Sequence, residues 1–338
     1  MRNKRLRVAI AGAGMVTRHH LIAWSRLPQI EIVAIFNRTL EKAYTRAKEF
    51  GIPKVYSNLE EMLRNEKPDV LDIAVAPEAH RQFAKIASEY GVNILCQKPM
   101  ALTLKEAEEM IAEIGDKVRF MVHENWRFRP PYRQAAKWIA EGITGTIHEF
   151  QLSTRSSGLI TKTENGKPFA IARQPYFANM SRFIILELLI HHLDTARFLM
   201  GELDVISAQT LHISKDIIGE DVAQIGLKAK NGAIGTISGN LSAPGFPPLP
   251  RDYLELIGDR SSIIFDGETL SLTGEKCESI HFIPEEIYQK SYDNLISHFV
   301  YALQNGSPFE TNPLDNLKTI RLVEKAYQLA SCQASMRE

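Results

Sequence analysis

The sequence predicts an α/β protein: an N-terminal Rossmann-type doubly wound parallel sheet, then a C-terminal α/β domain with a large open, mostly antiparallel sheet. Three observations lead there. Short apolar runs alternate with amphipathic stretches over residues 6–122, the pattern of βαβ units whose strands are buried on both faces. A glycine turn, GAGMVT at 12–17, separates the first apolar run from the next periodic stretch. Beyond residue 123, closely spaced alternating segments are divided by turns such as Asn231-Gly232, which suits antiparallel strands.

The chain has 338 residues, more than one core usually fills, and its 44% apolar content supplies two. The change of pattern places the boundary between a domain at 1–122 and one at 123–338. Forty basic and 40 acidic residues give zero formal charge, with no basic stripe to suggest nucleic acid. No apolar run is long enough to cross a membrane, and Met1–Arg5 leads straight into a strand without a secretory leader, so a cytoplasmic location is expected. Cys96, Cys277 and Cys332 are few and widely spaced; they read as ordinary thiols, with neither disulfides nor a metal site expected.

Leu6, Val8 and Ile10 mark the first strand, followed by a helix from Met15 and a second strand at Ile32–Phe36. Gly12 permits the tight turn, and Gly14 allows close backbone approach to a phosphate. Met15 and Val16 open a helix whose free N–H groups would face a dinucleotide pyrophosphate. Thr17 occupies the third glycine place of the fingerprint. After the second strand comes Asn37-Arg38 instead of an acidic residue. Asn37 can bond a ribose hydroxyl and Arg38 can pair with a phosphate or stack on adenine, so NAD and NADP both remain open.

Strands are then predicted at Val70–Val75, Val92–Cys96 and Arg119–Val122, with helices at Glu78–Tyr90 and Leu104–Ile114. In such sheets ligands bind beyond the strands' carboxyl ends, which singles out Ala76-Pro77-Glu78, Gln97-Lys98-Pro99 and His123-Glu124-Asn125. The second domain should hold a helix at Tyr132–Glu141, a strand at Thr146–Thr154, an irregular segment to Asn179 and a helix at Ile184–Met200. Strands are expected at Val205–Ile213, Asp221–Ala229, Ala233–Leu241, Tyr253–Ile257 and Ser262–Phe265, with terminal helices at Tyr292–Gln304 and Pro313–Ser331.

Five blocks in order, GAGMVT, APEAH (76–80), QKPM (97–100), NWRFRPPYR (125–133) and ELLIHHLD (187–194), resemble the Gfo/Idh/MocA oxidoreductases. The resemblance covers most of the chain. It implies NAD(P)-linked hydride transfer between nicotinamide and a sugar or polyol carbon bearing a hydroxyl or hemiacetal, with a carbohydrate as substrate. It also implies a homodimer or homotetramer built through the C-terminal sheet.

Such chemistry needs a base near the reacting oxygen, and Lys98 and His191 are suitable. By resemblance they handle the proton, while Glu187, where the family pattern has Asp, orients His191 or grips substrate. Cofactor contacts are expected from Gly12, Gly14, Met15, Val16, Asn37, Arg38, Ala76, Pro77, His80, Gln97, Lys98, Asn125 and Arg127. Gln97 stands where the family usually has Glu, and His80 is expected to support the cofactor loop by bonding local backbone. Candidate substrate contacts are Lys98, Trp126, Arg127, Arg155, Arg173, Tyr176, Glu187 and His191. His192 reads as a packing or surface residue.

Three rival classes follow from the same residues. Glu187, His191 and Asp194, with His123, could form the ligand set of a metal-dependent hydrolase. A non-catalytic dinucleotide-sensing regulator shares the fold, although Lys98 argues against it. An NAD-using glycosidase on the same scaffold would turn over without net release of reduced cofactor.

Overall fold

The computed structural model describes the backbone of residues 5–335 and the side chains of residues 5–331, so Met1–Lys4 and the Cys332 thiol lie outside the described residues. The chain forms two compact units. The first begins with β1 (Leu6–Ala11), α1 (Met15–Ser25), β2 (Ile30–Phe36), α2 (Leu40–Phe50), β3 (Val55–Tyr56) and α3 (Leu59–Glu66). It continues with β4 (Val70–Ile73), α4 (His80–Glu89), β5 (Asn93–Gln97), α5 (Leu104–Ile114) and β6 (Phe120–His123). All six strands pair in parallel in the order β3-β2-β1-β4-β5-β6. The order reverses between β1 and β4, which opens a crevice at the carboxyl ends of those two strands.

Local chemistry sets the helix ends. The Asn58 side chain accepts from Glu61 N at 2.9 Å to start α3, and Thr103 Oγ1 accepts from Glu106 N at 3.2 Å to start α5. Gly51, in the left-handed region at φ 68°, stops α2. The helix expected from Glu78 begins instead as a 3₁₀ turn at Pro77–Ala79 that leads into α4. α2, β3 and α3 occupy a stretch for which the apolar pattern makes no assignment.

The second unit opens with α6 (Pro130–Ala140), β7 (Ile147–Arg155), α7 (Phe169–Arg173), α8 (Ile190–Met200), β8 (Leu203–Leu211), β9 (Val222–Ala229) and β10 (Ile234–Asn240). β11 (Arg251–Gly258), β12 (Ser261–Phe265), β13 (Thr269–Gly274) and β14 (Glu278–His281) complete an eight-stranded sheet ordered β14-β13-β12-β11-β7-β10-β9-β8. Only β7 and β10 pair in parallel, so the sheet is mixed and mostly antiparallel. One face is apolar: Phe150, Leu152, Ile225, Ile237, Leu254, Leu256 and Ile263 are all buried. The opposite face carries Gln151, Ser153, Tyr253 and Glu255, the period-two alternation of a half-covered sheet. β13 and β14, at one sheet edge, are additional to the expected strands.

The last helices are α9 (Pro284–Asn305) and α10 (Pro313–Ser335). The expected boundary at 122/123 differs from the compact units, because Tyr288–Lys318 groups with the chain up to Phe128, while Arg129–Ile287 groups with the chain from Thr319 onward. The physical reason is apolar cover. Tyr292, Leu295, Ile296, Phe299 and Phe309 share a buried cluster with Val8, Ile10, Leu21, Trp24 and Met121, and Trp24 meets Phe299 edge to face at 6.0 Å. Without α9 these side chains of the parallel-sheet unit would face water.

Candidate active site

Gly12 sits at the carboxyl end of β1 with φ 118°, and its N–H donates to the Phe36 carbonyl at 2.8 Å. A Cβ at this position would overlap the Ala74 carbonyl, so only glycine fits between β1 and the end of β4. Gly14 is exposed with open space where its Cβ would lie. It is the N-cap of α1, and no side chain caps the helix there, nor does its first turn contain an acidic residue. A helix start without a side-chain cap, at the carboxyl end of β1, is a site suited to a diphosphate. Val16 leans on the core, Met15 is half-buried, and Thr17 is fully buried between helix and sheet.

At the end of β2 the Asn37 side-chain amide donates to Thr39 O at 2.8 Å. Arg38 is exposed. At the end of β4, Ala76 is exposed and Pro77 starts the 3₁₀ turn. His80 is buried, with ring nitrogens 2.9 Å from Pro99 O and 3.1 Å from Val75 O. Burial holds its imidazole below the usual pKa, so the neutral ring donates one N–H and ties the turn after β4 to the segment after Lys98. Lys98 itself is half-buried at the carboxyl end of β5.

Four expected contacts have partners within the first unit. The Gln97 side chain lies 3.2 Å from His20 Nε2 and accepts from Lys98 N at 2.7 Å. Asn125 donates to Ser291 Oγ at 2.7 Å and is buried. Trp126 is buried with its ring edge-to-face to Tyr288 at 6.1 Å. Arg127 is buried, with Nη2 2.9 Å from Asp315.

In the second unit, the helix expected over Ile184–Met200 begins as a π-helical turn, Ile184–Leu189, before α8. Glu187 lies in this wide turn and His191 in the first turn of α8, and both are buried. Gly239 of β10 leaves room for Ile184 and Leu189 to pack against the sheet, which seats the turn. Tyr176 donates to Glu187 Oε1 at 2.9 Å, and Gln174 donates to the Tyr176 hydroxyl at 2.9 Å. Arg173, half-buried, ends α7 just before them. Arg155 is elsewhere. It pairs in register with Arg251 and Asn240 and bonds Ser238 on the polar sheet face, opposite the face that Ile184 and Leu189 cover. There it lines a cavity of about 360 Å³ with Gln151, Ser153, Phe246, Tyr253 and Glu255.

His192 is buried, its Nε2 3.0 Å from Asp252, which also pairs with Arg129. It is a packing residue with an ionic partner. Asp194 accepts from Thr319 Oγ1 at 3.1 Å. Among the described residues, no three His, Cys, Asp or Glu side chains are arranged as a metal-ligand set. Two contributors escaped the sequence reading: His20, and Asp72 in the middle of β4. A charged residue inside the buried four-residue strand VLDI is the signal that could have found the second.

A D-apiose dehydrogenase of Paraburkholderia graminis is 32% identical over 96% of this chain and 87% of its own length. The chain belongs to the Gfo/Idh/MocA oxidoreductase family. Residues 6–123 match the family model described as an oxidoreductase family with an NAD-binding Rossmann fold, and residues 132–264 match the Gfo/Idh/MocA C-terminal domain. A D-apiose dehydrogenase of Rhizobium rhizogenes is 30% identical over 98% of this chain and 97% of that protein. Among solved structures, an oxidoreductase from Agrobacterium radiobacter in complex with NAD+, L-tartaric acid and magnesium superposes with a TM-score of 0.89 at 29% identity, covering 97% and 96% of the two chains. As a Gfo/Idh/MocA protein, this chain is an NAD-binding oxidoreductase.

Proposed function

We propose that this oxidoreductase is a sugar dehydrogenase that oxidises a carbinol or hemiacetal carbon of an aldose, D-apiose being the first candidate. The observation that carries the reading is the switch-point crevice, where Gly12 and the uncapped start of α1 lie beside the β4 end, with Lys98 at the end of the next strand over. Bound dinucleotide supplies the hydride acceptor. The protein's own share is proton handling and orientation. In this reading the Lys98 amine and the His191 imidazole take and pass on the hydroxyl proton as the carbon loses hydride. Glu187, held by Tyr176, orients His191 or a substrate hydroxyl. Gly12, Gly14, Met15, Val16, Asn37, Arg38, Ala76, Pro77, His80, Gln97, Lys98, Asn125 and Arg127 are the proposed cofactor contacts. The polar face of the second sheet is the proposed surface for a homodimer or homotetramer.

A panel of aldoses and polyols, each incubated with NAD and with NADP while reduced nicotinamide is followed by absorbance, tests the substrate class. Net accumulation of reduced cofactor separates a dehydrogenase from a glycosidase that returns it oxidised. Lys98→Met is expected to keep NAD affinity while kcat falls by about 10²–10⁴-fold, the usual share of a positioned acid–base group. Near-normal turnover in that variant removes Lys98 from the mechanism.

A further inference from the structure

We infer that Asp72, His20 and Gln97 form a directional hydrogen-bond chain that positions Lys98, and that the neutral amide at 97 is what keeps the chain in register. The inference rests on the reading of Lys98 as a proton-handling residue. Four links define it. Trp24 Nε1 donates to Asp72 Oδ2 at 2.7 Å, and His20 Nδ1 lies 2.8 Å from the same oxygen. Gln97 Nε2 is 3.2 Å from His20 Nε2, and Gln97 Oε1 accepts from Lys98 N at 2.7 Å. Asp72 and His20 are fully buried, and Gln97 is 9% exposed.

The direction of every bond follows from one donor. Lys98 N–H can only donate, so the Gln97 oxygen must face it, and the Gln97 NH₂ must face His20. His20 Nε2 must then be a bare acceptor. The ring proton is placed on Nδ1, where Asp72 accepts it. Reversing the Gln97 amide would oppose two donors at Lys98 and two acceptors at His20, so the register is all-or-none. The ring is boxed in from every side. His123 of β6 stacks on it at 4.0 Å, Tyr292 of α9 meets its edge at 5.3 Å, Asp72 comes from β4 and Gln97 from β5. The backbone that carries Lys98 is thereby fixed through buried groups. They are positioning residues.

The same logic says what a carboxylate at 97 would do. One oxygen could still accept from Lys98 N, but the other would meet the lone pair of His20 Nε2, an acceptor facing an acceptor. Gln97→Glu is therefore expected to break the register and shift the backbone that carries Lys98. Its kcat should fall about tenfold or more, with a smaller change in NAD Kd, because displacing a reacting group by about 1 Å costs on the order of 10²-fold. Adding His20→Gln should restore most of that loss, since an amide N–H donates to the introduced carboxylate. A Gln97→Glu enzyme whose kcat matches wild type overturns the proposal. Nitrogen-15 NMR of the wild-type imidazoles gives a test free of any variant's folding: His20 should appear as the neutral Nδ1–H tautomer, and an Nε2–H signal would overturn the chain. Lys98→Met separates the two readings, for an active Lys98→Met enzyme defeats the catalytic assignment while leaving the tautomer result intact.

Discussion

Asp252 shows how one carboxylate is kept charged inside the protein. Burial works to raise its pKa, but the charges of His192 and Arg129, with hydrogen bonds from His192 and Thr154, outweigh it and hold the carboxyl well below the usual carboxylate range. A depressed folded pKa contributes stability that is present above the unfolded value near 3.9 and is lost as pH falls through the lowered one. Asp252→Asn should cost about 3–5 kcal/mol at neutral pH, because Arg129 and His192 lose their shared counter-charge. In denaturant melts the gap from wild type should stay constant down to about pH 4 and close only below it. A gap that closes at higher pH would contradict the assignment. At this scale the sequence was partly readable. The strand-end places of Gly12 and Lys98 were legible because the strand-end rule and the glycine turn are local. The partners of Asn125 and Arg127 were not legible, because Ser291 and Asp315 lie 166 and 188 residues away along the chain. No pattern within a window of sequence reports that pairing.

Elements were legible wherever apolar periodicity was strong. The expected helix Leu104–Ile114 coincides with α5, and the expected strands of the second sheet fall within a few residues of β7 to β12. The wide turn at Ile184–Leu189 was not legible, since IILELL reads equally well as the first turns of an ordinary helix. What holds its start is tertiary. Glu220 accepts from Phe183 N and Ile185 N, each at 3.2 Å, and from the Tyr327 hydroxyl at 2.6 Å, so one side chain takes up amides that a normal helix start leaves bare. Burial, with Glu220 beside it, pushes the Tyr327 pKa up, so the phenol stays a donor throughout the working range. Glu220→Ala should lower stability by about 1–3 kcal/mol through these unmet donors. It should also reduce kcat more than it weakens NAD binding, because Glu187 rides on the turn. Glu220→Gln, which retains one acceptor oxygen, should lose less of both. Parallel thermal melts, initial rates and cofactor titrations check the order, and equal losses in the two variants would reject the capping role.

For the molecule as a whole, the alternation of the eight-stranded sheet leaves one face open. Ile234 is 58% exposed and Ile264 40% exposed, and register places both on the face that carries Gln151 and Glu255. If copies associate there, as the proposed assembly requires, Ile234→Glu should shift the mass measured by light scattering toward that of one chain, since a stable interface needs about 1,000 Å² of well-packed surface. A wild-type protein that already runs as a single chain ends the idea. The sequence showed this sheet's strands but not the route of the chain after it, because Tyr292 and Phe299 read as one face of an ordinary helix whose destination is set by Leu21 and Trp24. That route has a consequence for synthesis. On the ribosome, the nucleotide-binding half must wait with an unfinished core while more than half of the polypeptide is still being made, and it closes only when the segment around Phe299 emerges. The N-terminal half is translated first yet completes its folding among the last, so a nascent chain halted before that helix would expose the greasy underside of the sheet to any passing chaperone.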